Sequence, residues 1–456
     1  MPTSQLPTIH SAGSELRTGR LTSLDLVEAC LARIDRFDSR VRAWVSVDAE
    51  GAREQARRLD RELQAGQRRG PLHGIPVGIK DIVDVAGWPT LAGSSLRRGH
   101  VATNDATIVA RLRAAGAVIL GKTVTTEFAS FDPPPTRNPW NLDRTPAGSS
   151  SGSAAAVALG MCVAAVGSQT GGSITRPAAY CGVAGCKPSY GRVSLSGIVP
   201  LAFHLDHPGP IARDVADLAI MLSALAGYDA GDPASADRPA ADYTAEPARE
   251  EAPSLALLTG FFADAASVDV RQSVSAAVAR LRAAGARVVE VAPPVSFAEV
   301  IANHRRIMAV EAAAYHRGNY PARRSEYGRQ LAALLDEALA TSALDYAEAL
   351  AHRERFTRDI EAVVAGYDAL VTPATTTTAP TPETTGDPRF NAPWSYVGLP
   401  TVCFPCGVAP DGLPVGWQLI GGRWREGPLL STAQWCEREI GFSATPPLLA
   451  ECAAVG

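Results

Sequence analysis

The chain has 456 residues, 46% hydrophobic and 20% charged, which suits a globular protein with a large core and excludes a disordered one. Its formal net charge of -4 excludes a general nucleic-acid binder, which needs a surplus of Lys and Arg. No run of about 18 apolar residues offers a membrane span, and the start Met1-Pro-Thr-Ser-Gln5 lacks the charged-then-apolar pattern of a signal peptide.

In chain order, Thr22 or Ser23 caps a helix predicted over residues 24–37, with Leu24, Val27, Leu31 and Ile34 on one face. An amphipathic helix follows over 49–65, so residues 1–70 form a helical N-terminal part. From Leu72 the texture changes: apolar strands at 75–79, 118–120 and 163–166 alternate with helices at 106–115 and 153–160. That alternation predicts an α/β fold with a layered sheet, whose core spans 71–210. The nonapeptide VARLRAAGA occurs at 109–117 and again at 278–286. Each copy predicts a helix stopped by glycine (Gly116, Gly285) and then a strand. Residues 228–253 are rich in Ala, Asp, Pro and Glu and predict a surface excursion. Strands are expected at 255–258 and 288–291, mainly helix at 297–364, and a Thr/Pro-rich loop at 372–393 that is either loose surface chain or part of a substrate entrance. Strands at 401–408 and 415–420 and a helix at 429–439 close the chain.

Eight cysteines are scattered along the sequence, a pattern of free thiols in a reducing, cytoplasmic setting rather than of a disulfide framework. Cys403-Phe-Pro-Cys406 has the spacing of half a zinc or redox motif, but no second pair or nearby His completes it. Two buried strand thiols are the expectation there.

Three segments carry chemistry-bearing residues in unusual settings. In Gly74-Ile-Pro-Val-Gly-Ile-Lys80-Asp81 a lysine ends an apolar run; it could snorkel to the surface or be a buried base. The run Gly148-Ser149-Ser150-Ser151-Gly152-Ser153 leads straight into alanines, which disfavours a floppy linker. In Gln169-Thr170-Gly171-Gly172-Ser173 the glycines permit a turn whose successive N–H groups could meet an oxyanion beside a hydroxyl. A serine nucleophile needs a base, and a desolvated, neutral lysine can supply one.

In these three segments the chain resembles the amidase signature hydrolases, over about residues 21–439. The matching stretches are GIPVGIKD, AGSSSGSAAAVA and TGGSITRPAAYCGVAGCKPSYGRVS, with GLPTVCFPCG and GLPVGWQLIGG near the end. The resemblance implies a mixed central β-sheet covered by helices in one α/β/α amidase domain. It also implies a Ser–cisSer–Lys triad: Ser173 as nucleophile, Ser149 bridging through a cis bond to Gly148, and Lys80 as general base. Ser150 would support the network, and Thr170, Gly171, Gly172 and Ser173 would form the oxyanion hole. The implied activity is hydrolysis of a small or medium carboxylic amide through an acyl-Ser173 intermediate, with no cofactor or metal and no histidine in the relay.

Two positions depart from the commoner pattern. Gln169 stands where many relatives have Asp. Arg176 follows the nucleophile by three residues, as in malonamidase-like members, where it receives a substrate carboxylate; a structural salt bridge is the alternative. Glu127 is expected to orient a loop. The other reading of the whole chain is the glutaminase component of a tRNA-dependent amidotransferase. No nucleic-acid or membrane partner is expected, and a homodimer is compatible with the family.

Overall fold

Stretches of Val, Ile, Ala and Gly with no polar alternation can form strands only where both faces are covered. The computed structural model, which describes residues 6–245 and 249–450, meets that demand with one mixed sheet. Residues 1–5, where no leader is expected, 246–248 of the excursion, and Cys452 lie outside the described residues. The strands are β1 (Trp44–Val47), β2 (Pro76–Lys80), β3 (Val118–Thr123), β4 (Ala164–Gln169), β5 (Ala184–Lys187), β6 (His207–Ala212), β7 (Ser254–Leu258), β8 (Arg287–Val291), β9 (Ala369–Pro373), β10 (Thr401–Val408) and β11 (Pro414–Ile420).

Their spatial order is β1-β3-β2-β4-β6-β5-β10-β11-β9-β7-β8. Neighbours run parallel within β3-β2-β4 and within β9-β7-β8, and antiparallel elsewhere. The sheet is flanked by helices, the expected α/β arrangement, and β2, β3 and β4 are buried along their whole length.

The predicted first long helix is a turn longer than expected, Ser23–Val41, because Phe37 and Val41 continue its apolar stripe. Thr22 accepts from the Asp25 N–H and Asp25 from the Thr22 N–H, a reciprocal cap. Both VARLRAAGA copies end alike. Gly116 and Gly285 have positive φ, and the following Ala117 and Ala286 donate to Leu112 and Leu281, five residues back.

The Thr/Pro-rich loop is shorter than 372–393. Thr372 and Pro373 pair with Gln418 and Trp417 inside the sheet, and Pro393 lies in the helix Ala392–Val397. What remains is anchored, with Ala374, Thr375, Ala379, Thr385 and Phe390 buried. The described part of 228–253 holds no regular element, yet Asp229 and Asp232 tie it to Ser194 and Leu195, and Tyr243 is buried against Arg192. Cys403 and Cys406 are buried free thiols on β10. No described helix is long and apolar enough to cross a membrane.

Candidate active site

Because β2 and β4 are parallel neighbours, with Val77 opposite Ala164 and Ile79 opposite Val166, their C-terminal ends reach the same edge of the sheet. Open α/β sheets place ligands at such edges. Lys80, the last residue of β2, is fully buried there. Its Nζ donates to Ser149 Oγ at 2.7 Å and to Ser168 Oγ at 2.8 Å, with the Ser168 carbonyl at 3.5 Å.

The serine run is an anchored part of the core. The peptide Gly148–Ser149 is cis, and Ser149, Ser150, Ser151 and Ser153 are all 0% exposed. Ser150 Oγ donates to the Ser168 carbonyl and accepts from the Ser168 N–H, both at 3.2 Å. Ser153 Oγ bonds the Val166 carbonyl at 2.9 Å, and Ser151 Oγ the Ala147 carbonyl at 2.7 Å. The bonds of Ser150 and Ser153 stitch the helix Ser151–Ala158 to β4, and that of Ser151 closes the turn before the helix.

Past β4 the chain turns through Thr170, Gly171 and Gly172 to Ser173, just ahead of the helix Thr175–Cys181. The Ser150 N–H donates to the Ser173 carbonyl at 3.3 Å, tying the two serine segments together. Gly171, Gly172 and Ser173 donate no backbone hydrogen bond to another described residue, so their N–H groups remain available. Among the described residues no hydrogen bond joins Ser149 Oγ to Ser173 Oγ; the Ser149 hydroxyl is bonded by Lys80, and its carbonyl accepts from the Thr126 N–H at 3.4 Å.

Gln169 Oε1 accepts from the N–H groups of Ile174 and Thr175, each at 3.0 Å, and from the Thr175 hydroxyl at 2.9 Å. It pins the segment that follows the nucleophile position. Arg176, 2% exposed, donates to backbone carbonyls, Thr385 and Gly386 through Nη1 and Gly148 through Nη2, while its Nε is buried close to Gly172 with no hydrogen-bond partner among the described residues. No salt bridge joins it to an acid among the described residues; it ties its own helix to two other chain segments. Glu127 orients a loop, accepting from Ser94 Oγ and the Gly328 N–H.

Burial pulls the Lys80 ammonium down to about 7, while the charge of Asp206 pulls the other way. Burial likewise pushes the Asp206 carboxyl up to about 6, against bonds from the Thr170 hydroxyl and the N–H groups of Leu201 and Ala202. His304 Nε2 donates to the Thr170 carbonyl at 2.9 Å, and burial holds that ring down at about 4. His204 bonds Glu311, and His207 Nδ1 bonds the Leu205 carbonyl, so each has a partner away from the serines.

Ser168, Asp206 and His304 are the neighbours that motif reading misses. Ser168 lies in a stretch otherwise singled out, one residue before Gln169, and the strand alternation of β4 is its only signal. Asp206 and His304 come from 36 and 134 residues beyond Thr170, and nothing local marks them.

A cavity of about 400 Å³ opens beside Gly171, lined by Phe131, Ile301, His304, Met308 and Ala392 among others. Three larger hollows, two of about 570 Å³ and one of about 430 Å³, lie elsewhere and hold none of these groups. Chemistry rather than size picks out the site.

The family model described as Amidase matches residues 25–430. The A component of the glutamyl-tRNA(Gln) amidotransferase of Anaeromyxobacter sp. (strain K) is 38% identical, covering 96% of this chain and 97% of its own. The native peptide amidase of Stenotrophomonas maltophilia superposes with a TM-score of 0.84 at 34% identity, over 96% of this chain and 98% of that one. A chain from a vestigial protein complex, described as revealing the origins of an s-triazine catabolic enzyme, superposes with a TM-score of 0.89 at 30% identity, over 96% and 100%.

Proposed function

The chain belongs to the amidase family and is an amide hydrolase; on that premise we propose that it works as one catalytic unit through an acyl-enzyme on Ser173. The observation that carries this reading is the fully buried Lys80, bonded to two serine hydroxyls and brought close to neutrality. A neutral amine can accept a proton; an ammonium cannot.

In the proposed first step Ser173 Oγ attacks the amide carbonyl carbon as its proton passes to Ser149 and that of Ser149 to Lys80. Rotation of the Ser173 hydroxyl toward Ser149 closes the missing link of this relay. The tetrahedral oxyanion sits against the N–H groups of the Thr170–Ser173 turn, three of which have no partner among the described residues. Ser149 then protonates the leaving nitrogen and recovers a proton from Lys80, and the C–N bond breaks. Water hydrolyses the acyl-Ser173 ester by the same path in reverse. Ser150 holds Ser168 in place, and Gly148 presents its carbonyl to Arg176. No step calls for a metal or a cofactor.

The substrate approaches through the cavity beside Gly171, which suits a small or medium amide. Arg305, Asp387 and Arg389 line that cavity, and Arg176 is not among its lining residues. The test is ammonia release over a panel of aliphatic, aromatic, dicarboxylic-monoamide and ureido amides. At least one should turn over, and Ser173→Ala should abolish turnover of every active one. Retained activity in that variant would remove Ser173 from the reaction.

Similarity to the amidotransferase component favours a second reading, a glutaminase that passes ammonia to a partner protein. Gln169 and the position of Arg176 weigh against it. Glutamine hydrolysis that rises only with charged tRNA and the partner protein would establish it.

A further inference from the structure

Thr170 opens the donor turn, and two groups from distant segments grip it. Its hydroxyl donates to Asp206 Oδ1 at 2.5 Å, and its carbonyl accepts from His304 Nε2. Asp206 is 7% exposed, and its second oxygen is held by the N–H groups of Leu201 at 2.8 Å and Ala202 at 3.1 Å. The carboxylate is therefore fixed at both oxygens. It reaches no substrate-facing atom of the site, but it touches the residue from which the turn is hung.

We infer that Asp206 is a positioning residue for the reaction proposed above: clamped at both oxygens, it holds Thr170 and with it the oxyanion-facing turn. Asp206 is also the acid that acts on Lys80. A nearby carboxylate favours the ammonium, so its presence raises the pH at which Lys80 becomes a competent base.

Other groups around Asp206 leave that assignment standing. Glu311 opposes ionisation of Asp206 but is engaged by His204 and the Tyr346 hydroxyl. Tyr190 donates to the Phe203 carbonyl, and burial keeps its phenol protonated, up at about 12. His304 and His207 are both pushed toward the neutral ring by burial. Arg353 donates to the His204 and Tyr396 carbonyls, and Lys187 to those of Pro188 and Leu399. Burial pushes Asp206 itself up to about 6, so above that pH it carries its charge.

The two parts of the inference separate by mutation. Asp206→Asn keeps an oxygen for the Thr170 hydroxyl and removes the charge. The acid limb of kcat/KM against pH should then move to lower pH by about half a unit or more. Thr170→Val frees the turn but also removes a bond that favours the Asp206 carboxylate, so it is read on the pH plateau, where Asp206 is ionised in either chain: kcat there should fall about tenfold or more. An unmoved limb in a folded Asp206→Asn overturns the electrostatic part, and a Thr170→Val kcat within twofold of wild type overturns the positioning part. If Asp206→Asn does not fold, Asp206→Glu takes its place: the retained charge must keep the wild-type limb, and a limb shifted downward overturns the inference. Lys80→Met distinguishes this inference from the reading beneath it. Activity that survives there defeats the proposed relay, whereas activity lost there with an Asp206-independent limb defeats only the role given to Asp206.

Discussion

Two buried lysines on adjacent strands of the sheet have opposite surroundings. Lys122 on β3 pairs opposite Ile79 of β2, and Thr123 opposite Lys80. Lys122 Nζ lies 2.9 Å from Asp81 Oδ1, both side chains 1% exposed, with Thr90 Oγ1 and the Pro89 carbonyl completing its partners. Lys80, as deeply buried, meets two serine hydroxyls and a carbonyl but no carboxylate. Burial pulls both ammonium groups below the usual lysine value, and at Lys122 the charge of Asp81 resists it directly. Lys187 on β5 adds a third case. It is also pulled down to about 7, yet its partners are the Leu399 and Pro188 carbonyls. Burial lowers each of the three lysines, to about 7 at Lys80 and Lys187, and at Lys80 the neighbours are hydroxyls that can give the amine a proton.

The largest effect that would sharpen this contrast is on turnover. Lys80→Met fills the same volume without a base, and kcat should fall by about a thousandfold or more, read by ammonia release. The same variant tests the charge state. Folded Lys80 sheds its proton near 7, whereas the unfolded chain keeps it up to the ordinary 10.5. Between those values the unfolded state binds the extra proton, so the stability of wild type relative to Lys80→Met rises with pH. A flat difference across that window, measured by denaturant unfolding, would break the comparison.

At the neighbouring lysine the effect should fall on folding. Lys122→Met strands Asp81 in the interior, and unfolding free energy should drop by about 3–5 kcal/mol, with Asp81→Asn in the same chain recovering most of it. The smallest effect belongs to Ser168→Ala, which removes one of the two hydroxyls at Lys80. A fall in kcat of about tenfold is expected, with KM little changed.

These contrasts also mark what the bare sequence makes legible. An amine ending the apolar run 75–79 is conspicuous, and so is a Gly/Ser run that leads into alanines. Strand periodicity and glycine stops place β2, β3 and β4 and the helices between them to within a few residues. The grip on Thr170 is not legible, because Asp206 and His304 reach it from segments whose own patterns describe a turn and a helix. Arg176 shows a different limit. Its position after the nucleophile suggests a ligand, but its partners, the carbonyls of Gly148, Thr385 and Gly386, are backbone atoms that no side-chain pattern reveals. The loop expected at 372–393 is over-long for a related reason: threonine and proline read as turn residues, yet Thr372 and Pro373 are enclosed by their partners on β11.

The order of strands has a consequence for biosynthesis. β5 lies between β6 and β10, and β10 begins at Thr401, more than two hundred residues after β5 ends at Lys187. While the ribosome makes the intervening stretch, the six earliest strands can assemble but β5 has an unfilled ladder on one side. Such an edge invites pairing with another nascent chain. Completion of the half that holds the serines therefore waits on nearly the last strands to be translated, and a prematurely terminated polypeptide would leave that edge uncovered.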